Sequence, residues 1–132
     1  MVLALQKEDI DICAMITNSR TTNDGSQIVF IGCVRDDGEM DALEIEAFVP
    51  VAEKDLADIA EEATKRFGLN SVDIIHRYGR LALGETILVI LVGSAHRQEG
   101  YEGSRFIIEQ LKEKVPIWKQ ELSGNAPGEW VH

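Results

Sequence analysis

The chain has 132 residues, 45% of them hydrophobic and 27% charged, values that fit one globular domain over residues 1–132 and exclude a disordered or fibrous chain. Its 23 Asp and Glu outnumber its 13 Lys and Arg, for a formal net charge of −10, which argues against nucleic acid as a partner because neutralising phosphates needs a net basic face. No apolar run reaches the ~20 residues of a membrane helix, and the N-terminal residues lack the basic and apolar regions of a signal peptide, so the sequence predicts a cytoplasmic protein.

The first part of the chain predicts a short helix and two strands. Apolar residues at helical spacing over residues 9–18 indicate the helix. The segments 26–35 and 42–49 are rich in Ile, Val and Phe or alternate between apolar and polar residues, so both predict strands. Asp37-Gly38 between them is typical of a β-hairpin turn.

A long helix and two further strands follow. Pro50 introduces an amphipathic stretch that ends before Gly68, and helices commonly begin at proline and end at glycine. The segments 71–78 and 85–93 predict two strands, joined by residues 79–84. The second of these strands is apolar throughout, so we expect it at the centre of a sheet.

The last part of the chain predicts one more helix and short final strands. Apolar residues recur at helical spacing over 98–114, and Pro116 must end or follow that helix. The segments 117–122 and 129–131 predict short strands. The order of elements favours an α+β fold with antiparallel hairpins and helices packed on one face of the sheet.

Common catalytic and metal-binding motifs are absent. The three histidines have no nearby Cys or acidic ligand pattern, so the sequence predicts no metal site. Cys13 and Cys33 lack metal-ligand spacing, and we expect them to be small buried hydrophobic residues. Arg77 and Arg80 lie beside a predicted turn, where solvated charges are the expectation.

Basic residues nevertheless gather at four places in this acidic chain: Arg35, the pair His96-Arg97, Lys112 and Lys119. The pair opens the helix over 98–114, and a helix start offers free N–H groups and a positive dipole end to an anion. A lysine that loses part of its hydration or has a cationic neighbour becomes a base, acid or nucleophile near neutral pH. Solvated surface charge is the competing interpretation of both lysines.

Seven stretches, spread in order over nearly the whole chain, match the pattern of one enzyme family. They are FIGCVR at 30–35, EIEAF at 44–48, AEKDLADIA at 52–60, IHRYG at 75–79, GSAHR at 93–97, LKEKVPIWKQE at 111–121 and EWV at 129–131. With them the sequence resembles the large, catalytic subunit of molybdopterin synthase. The most specific part of the resemblance is SAHR followed at this distance by LKxxxPxWKxE.

The resemblance implies a sulfurtransferase that adds two sulfurs to cyclic pyranopterin monophosphate and so forms the dithiolene of molybdopterin. The implied sulfur source is a small ubiquitin-like partner subunit whose C-terminal Gly-Gly tail carries a thiocarboxylate. The implied assembly is a homodimer of the large subunit within a heterotetramer. No bound cofactor is implied, since the product is itself the precursor of the molybdenum cofactor, and the implied fold is an α/β hammerhead with an added α+β portion.

The resemblance also assigns roles to individual residues. It implies that Lys112 and Lys119 are catalytic: Lys112 matches the family's lysine beside the thiocarboxylate terminus, and Lys119 matches its second essential lysine. The implied substrate-binding residues are Cys33, Val34, Arg35, His96, Arg97, Lys112, Lys119, Gln120 and Glu121. Our hypothesis is one anion-holding pocket, in which Arg35, His96 and Arg97 fix the phosphate and pterin while the lysines position the thiocarboxylate and shuttle protons.

Two alternatives from other classes remain open at this point. The basic pocket of a non-catalytic anion- or tail-binding module would receive an acidic or carboxylate tail without chemistry. A metabolite sensor would bind a phosphorylated ligand without any partner subunit.

Overall fold

Eight strands and three helices make up the described part of the chain, residues 1–123 and 126–132 of a computed structural model. The strands are β1 (Leu3–Gln6), β2 (Ser26–Cys33), β3 (Ala42–Ala47), β4 (Ser71–Arg77), β5 (Gly79–Ala82), β6 (Thr86–Ser94), β7 (Ile117–Ser123) and β8 (Ala126–Val131). The helices are α1 (Ile12–Ser19), α2 (Val49–Phe67) and α3 (Arg97–Lys114). None of the helices in these ranges is long and apolar enough to span a membrane. The predicted α+β class is confirmed.

The first sheet has the strand order β1-β4-β6-β2 and is built around β6. Every residue of β6 after Thr86 is buried, as expected for an apolar strand with neighbours on both sides. β4 and β2 pair with β6 in antiparallel fashion, and Ile74 of β4 lies opposite Ile90 of β6. β1 runs parallel to β4 at the edge and was not predicted, because four residues are too few to give a recognisable pattern.

Helices cover both faces of this sheet, so the expectation of helices on one face is wrong. Side chains alternate along a strand, and neighbouring residues therefore point to opposite faces. Ile74 of β4 lies in the same hydrophobic cluster as Leu56 of α2 and Ile107 of α3. The next residue, Ile75, lies in a second cluster with Met15 of α1 packed against it.

The long helix α2 follows the local signals closely. Pro50 lies in its first turn, where a missing N–H costs nothing. Its buried stripe consists of Ala52, Leu56, Ile59, Ala60 and Ala63. Burial of a Leu or Ile side chain contributes roughly 1.5–3 kcal/mol. Gly68 ends the helix at φ 66°, a left-handed conformation that glycine adopts without strain, and its N–H donates to the Thr64 carbonyl oxygen.

The second sheet, β5-β3-β7-β8, takes its strands from distant parts of the chain. The chain passes from β4 in the first sheet to β5 in the second at Gly79, whose φ of 95° requires glycine. Leu43 of β3, Leu81 of β5 and Ile117 of β7 belong to the same hydrophobic cluster as the first sheet and helices α2 and α3. The two sheets therefore share a core.

The predicted hairpin between residues 26–35 and 42–49 is wrong. Both segments are strands, and Gly38 does have a turn conformation with φ 85°. However, β2 pairs with β6, whereas β3 pairs with β5 and β7 in the other sheet. A local turn signal shows where the chain changes direction, but the partner of each strand is decided by long-range packing.

Candidate active site

Two of the predicted site residues, Lys112 and Lys119, line one cavity. The cavity has a volume of about 270 Å³ and lies where the C-terminal end of α3 meets β4 of the first sheet and β7 of the second. Its lining residues are His76, Leu111, Lys112, Val115, Ile117, Lys119 and His132. Four basic side chains thus surround an otherwise apolar space.

The end of α3 positions Lys112. Leu111, the preceding residue, is buried in the core, and the Val115 N–H donates to its carbonyl oxygen at 3.3 Å. Pro116 ends the helix because it has no N–H to continue the ladder. The Pro116 carbonyl oxygen accepts a hydrogen bond from the Phe48 N–H at 3.2 Å, which ties the end of α3 to the start of α2. Lys112 itself remains exposed on the last turn.

Strand β7 positions Lys119 in the middle of the second sheet. Lys119 lies opposite Ile45 of β3 on one side and Val131 of β8 on the other, so its backbone is held from both sides. Lys119 keeps part of its surface in solvent, but partial loss of hydration, and secondarily the positive charge of Lys112, lower its pKa below the ordinary value. A lysine in this state has a larger fraction of neutral amine than an ordinary lysine and accepts a proton more readily.

His76 contributes a neutral imidazole to the same cavity. It is only 2% exposed, and its Nδ1 lies 2.7 Å from the Arg77 carbonyl oxygen. Burial is the main reason that the pKa of His76 falls to about 4; the hydrogen bond to Arg77 opposes the shift and the charge of Lys119 adds to it. The only sequence signal for His76 was a polar residue within an apolar strand, and it was not predicted as a site residue.

His132 covers one side of the cavity. Its Nε2–H donates to the Val115 carbonyl oxygen at 2.8 Å, and its ring centroid lies 5.9 Å from that of Trp118. No local sequence pattern predicts this contact, because it depends on the pairing of β8 with β7. His132 is the second basic residue of the cavity that sequence reasoning missed.

The predicted anion-binding pair lies in a different cleft. His96 and Arg97 are exposed at the N-terminal end of α3. The Ser94 hydroxyl donates to the His96 carbonyl oxygen at 2.6 Å, and the Glu99 carboxylate accepts from the His96 N–H at 3.2 Å. The open cleft beside them, of about 760 Å³, is lined by Gly25, Ser26, Gln27, Ile28, Ala95, His96, Arg97, Gln98, Glu99 and Tyr101.

Within one chain, the length of α3 separates the two clefts. A rise of about 1.5 Å per residue puts roughly 22 Å between Arg97 and Lys112. Arg35 lies at the lysine end of the first sheet, because the adjacent Val34 N–H donates to the Glu85 carbonyl oxygen at the start of β6. The predicted single pocket is therefore wrong for one chain: the lysines meet, but His96 and Arg97 are at the far end of the helix.

The other predicted binding residues occupy the flanks of these elements. Val34 is buried, whereas Arg35 is exposed and lines neither cleft in the described part of the chain. Gln120 follows Lys119 on β7, and its side-chain amide donates to a carbonyl oxygen of β8 at 2.8 Å. Glu121 is exposed on the same strand. Gln120 thus supports the edge of the sheet next to the lysine cavity.

Two expectations about burial are wrong. Cys13 and Cys33 are both exposed rather than buried, because α1 buries none of its residues fully and the end of the edge strand β2 presents one face to solvent. Arg77 was expected in solvent but is only 6% exposed. Arg80, by contrast, is exposed as predicted.

Comparisons with known proteins agree with this architecture. The model of the MoaE protein family matches residues 5–114. The molybdopterin synthase catalytic subunit of Rhizobium meliloti is 37% identical over 99% of this chain and 87% of its own length, and that of Thermoplasma volcanium is 36% identical over 96% and 94%. The crystal structure of molybdopterin synthase from Staphylococcus aureus matches with a TM-score of 0.93 and 32% identity over 98% of this chain and 96% of that chain. The chain therefore belongs to the MoaE family, whose relatives are the catalytic subunits of molybdopterin synthase.

Proposed function

We propose that Lys112 and Lys119 carry the sulfur-transfer chemistry of this chain. Membership of the MoaE family makes the chain an enzyme of molybdopterin synthesis, and the chemistry of that synthesis is a sulfur transfer. The single observation that carries the assignment is that two lysines from separate elements line one cavity in a strongly acidic chain. Most lysines are solvated on the surface, and the shared cavity is what distinguishes this pair from them.

The two lysines differ in the part they can take. The ammonium group of Lys112, on the exposed end of α3, attracts and orients an anionic thiocarboxylate. Lys119, whose pKa is lowered, accepts and returns protons as the cyclic phosphate of the substrate opens. Cyclic pyranopterin monophosphate is the proposed substrate, and the thiocarboxylate tail of a small ubiquitin-like subunit is the proposed sulfur donor. The curated relatives are named catalytic subunits, which supports a further subunit in the assembly.

The proposed homodimer resolves the separation between the lysines and the anion-binding pair. His96 and Arg97 lie roughly 22 Å from Lys112 along α3 and cannot hold the phosphate of a substrate in the lysine cavity of their own chain. A twofold dimer lets each chain supply its helix start to the other chain's lysines. We propose that each site takes Lys112 and Lys119 from one copy and His96 and Arg97 from its partner.

Reconstituted sulfur transfer tests the lysine assignment. Lys112→Ala and Lys119→Ala, supplied with the precursor and the thiocarboxylated small subunit, should each form molybdopterin at least about a hundredfold more slowly. That is the usual scale for the loss of an acid or base, as proposed for Lys119, and for the loss of a group that holds an anion at the reacting centre, as proposed for Lys112. Lys114→Ala removes an exposed lysine of the same helix end that does not line the cavity, and it should keep the parent rate. Parent rates for both cavity variants would refute the assignment.

Mixing two inactive variants tests the shared site. Lys119→Ala and the double variant His96→Ala, Arg97→Ala, each inactive alone, should regain about one quarter of the parent rate after subunit exchange, because half of the dimers are mixed and each has one intact site. No recovery, with subunit exchange confirmed by mass spectrometry, would refute the shared site, because Lys119 would then not act together with His96 and Arg97 of the other chain.

A further inference from the structure

We propose that His76 is a positioning residue for Lys119: its Nε2 atom is the neutral hydrogen-bond acceptor toward which the Lys119 amine turns inside the lysine cavity. The inference rests on the proposed role of Lys119 and adds a third residue to that site. His76 belongs to the first sheet and Lys119 to the second, so this contact would also couple the two sheets at the point where the chemistry takes place.

The strand pattern directs His76 toward the cavity. His76 has the same parity along β4 as Ile74, whose side chain lies in the cluster shared with α2 and α3. The C-terminal end of α3 lies over this end of the sheet, and His76 lines the cavity together with Lys112 and Lys119. A histidine that is 2% exposed in an apolar strand is costly unless its polar atoms have partners.

Only one ring nitrogen of His76 is satisfied by the backbone. A carbonyl oxygen accepts but cannot donate, so Nδ1 must carry the hydrogen in its 2.7 Å contact with the Arg77 carbonyl oxygen. In the neutral ring, Nε2 then has a free lone pair. No side chain or backbone group in the described ranges donates to Nε2, which leaves this atom as an acceptor available to the cavity.

The charges around the cavity explain why a neutral acceptor suits this place. Lys112 on α3 and Lys119 on β7 are both cations, and His132 also faces the cavity. Because burial and the charge of Lys119 keep His76 unprotonated at neutral pH, it adds no repulsion. A carboxylate in its place would pair with Lys119 and favour the charged amine. A neutral imidazole orients the amine while interfering less with its ability to lose a proton.

Two neutral replacements separate positioning from packing. Gln places an amide group near the position of His Nε2, whereas Asn places one near Nδ1 and leaves the Nε2 position empty. His76→Gln should keep sulfur transfer within about threefold of the parent, and His76→Asn should lower it about tenfold or more, the scale of a lost hydrogen bond to a charged group. Equal rates for His76→Asn and the parent would overturn the proposal.

A measurement on the purified chain, without substrate, keeps this test separate from the proposed function. The pH dependence of Lys119 acetylation by acetic anhydride, read by mass spectrometry, reports the pKa of its amine. An acceptor stabilises the ammonium form, so His76→Asn should shift the Lys119 profile to lower pH and His76→Gln should shift it less. A purely structural role would change the unfolding temperature but leave both profiles equal, which would contradict the proposal.

Nitrogen NMR of the histidine rings is a second test, which does not depend on whether His76→Asn folds. The His76 Nε2 resonance should move in Lys119→Met, which removes the donor, and move less in Lys112→Met, which removes a neighbouring charge only. Identical movement in the two variants would overturn the positioning role. If the resonance responds as expected while Lys119→Ala still transfers sulfur at the parent rate, the proposed function fails and the contact stands.

Discussion

Arg77 donates hydrogen bonds from Nε and Nη2 to the carbonyl oxygen of Lys7, at 3.1 and 2.9 Å. Its Nη1 donates to the Thr86 carbonyl oxygen at 3.1 Å. The buried guanidinium therefore joins the residue after β1 to the start of β6, across the end of β4. Glu85 lies 3.5 Å away and offers a partly exposed carboxylate to the same group.

Replacing Arg77 by methionine should lower the free energy of unfolding by about 2–3 kcal/mol, because the buried side chain loses its hydrogen bonds, as a charged donor, to the Lys7 and Thr86 carbonyl oxygens. Urea denaturation measures the change as a shift in the midpoint. Arg80→Met is the matched control: Arg80 is exposed on β5, and its loss should stay within about 0.5 kcal/mol. Equal effects of the two substitutions would contradict the structural role of Arg77.

His76 should make stability fall in mildly acid solution. Its pKa is about 4 in the folded chain against an ordinary 6.5, so between these values the unfolded chain binds the extra proton. Above pH 6.5 protonation of His76 does not lower the free energy of unfolding. As the pH falls toward 4 the free energy of unfolding declines, by up to about 3 kcal/mol for a shift of this size. His76→Gln removes this term. Plots of the free energy of unfolding against pH, for the parent and for His76→Gln, should therefore converge or cross between pH 4 and 7. Parallel plots would be inconsistent with a buried neutral histidine.

Removing the charge of Lys112 should raise the pKa of Lys119, since the Lys112 ammonium is one of the two causes of its lowered value. In Lys112→Met the acetylation profile of Lys119 is expected to move to higher pH. Lys114→Met, at the same exposed end of α3 but outside the cavity lining, should leave the profile in place. A shift of the same size in both variants would point to the net charge of the molecule instead of a local pair.

Gly100 should not tolerate alanine although it lies inside α3. A Cβ atom there would come within 2.9 Å of both Ile28 Cγ1 and Ser94 Oγ. The gain in helix propensity, about 1 kcal/mol, is smaller than the usual penalty for overpacking, so we expect a net loss of about 1 kcal/mol. Gln98→Ala, at an exposed position of the same helix, should change stability by less than about 0.5 kcal/mol. Thermal unfolding of the two variants makes the comparison, and a stabilised Gly100→Ala would show that α3 can shift away from β2.

The helices were predictable from the sequence because their signals are local. Pro50 and Gly68 mark the two ends of α2, and the proline at 116 marks the end of α3. The second sheet was not predictable in the same way. β5 has only four residues, and the pairing of β3 with β7 joins segments that share no local signal. The turn at Gly38 suggested a hairpin because the pattern of two nearby strands says nothing about which sheet each one joins.

The same distinction between local signals and long-range packing applies to the candidate site. The stretch that contains Lys112 and Lys119 is short and rigid, so the two lysines could be expected to lie near each other. His96 and Arg97 belong to the other end of α3, and only the length of that helix shows that one chain cannot combine them with the lysines. His76 could not be found from its own strand, since its relevance depends on which helix end and which strand of the other sheet close over it.

The pairing of β3 with β7 also determines when during folding the lysine cavity can form. Ala42 lies opposite Leu122, and contacts between such distant segments close large loops and form slowly. During synthesis β3 cannot pair with β7 until β7 has left the ribosome. Pulsed hydrogen exchange during refolding should therefore protect the amides of β4 and β6 before those of β3 and β7, and protection of β7 first would contradict this order. A half-folded chain in which only β4 and β6 have paired would then still lack Lys119 in its place between β3 and β8, so the lysine cavity forms only after β7 has joined the second sheet.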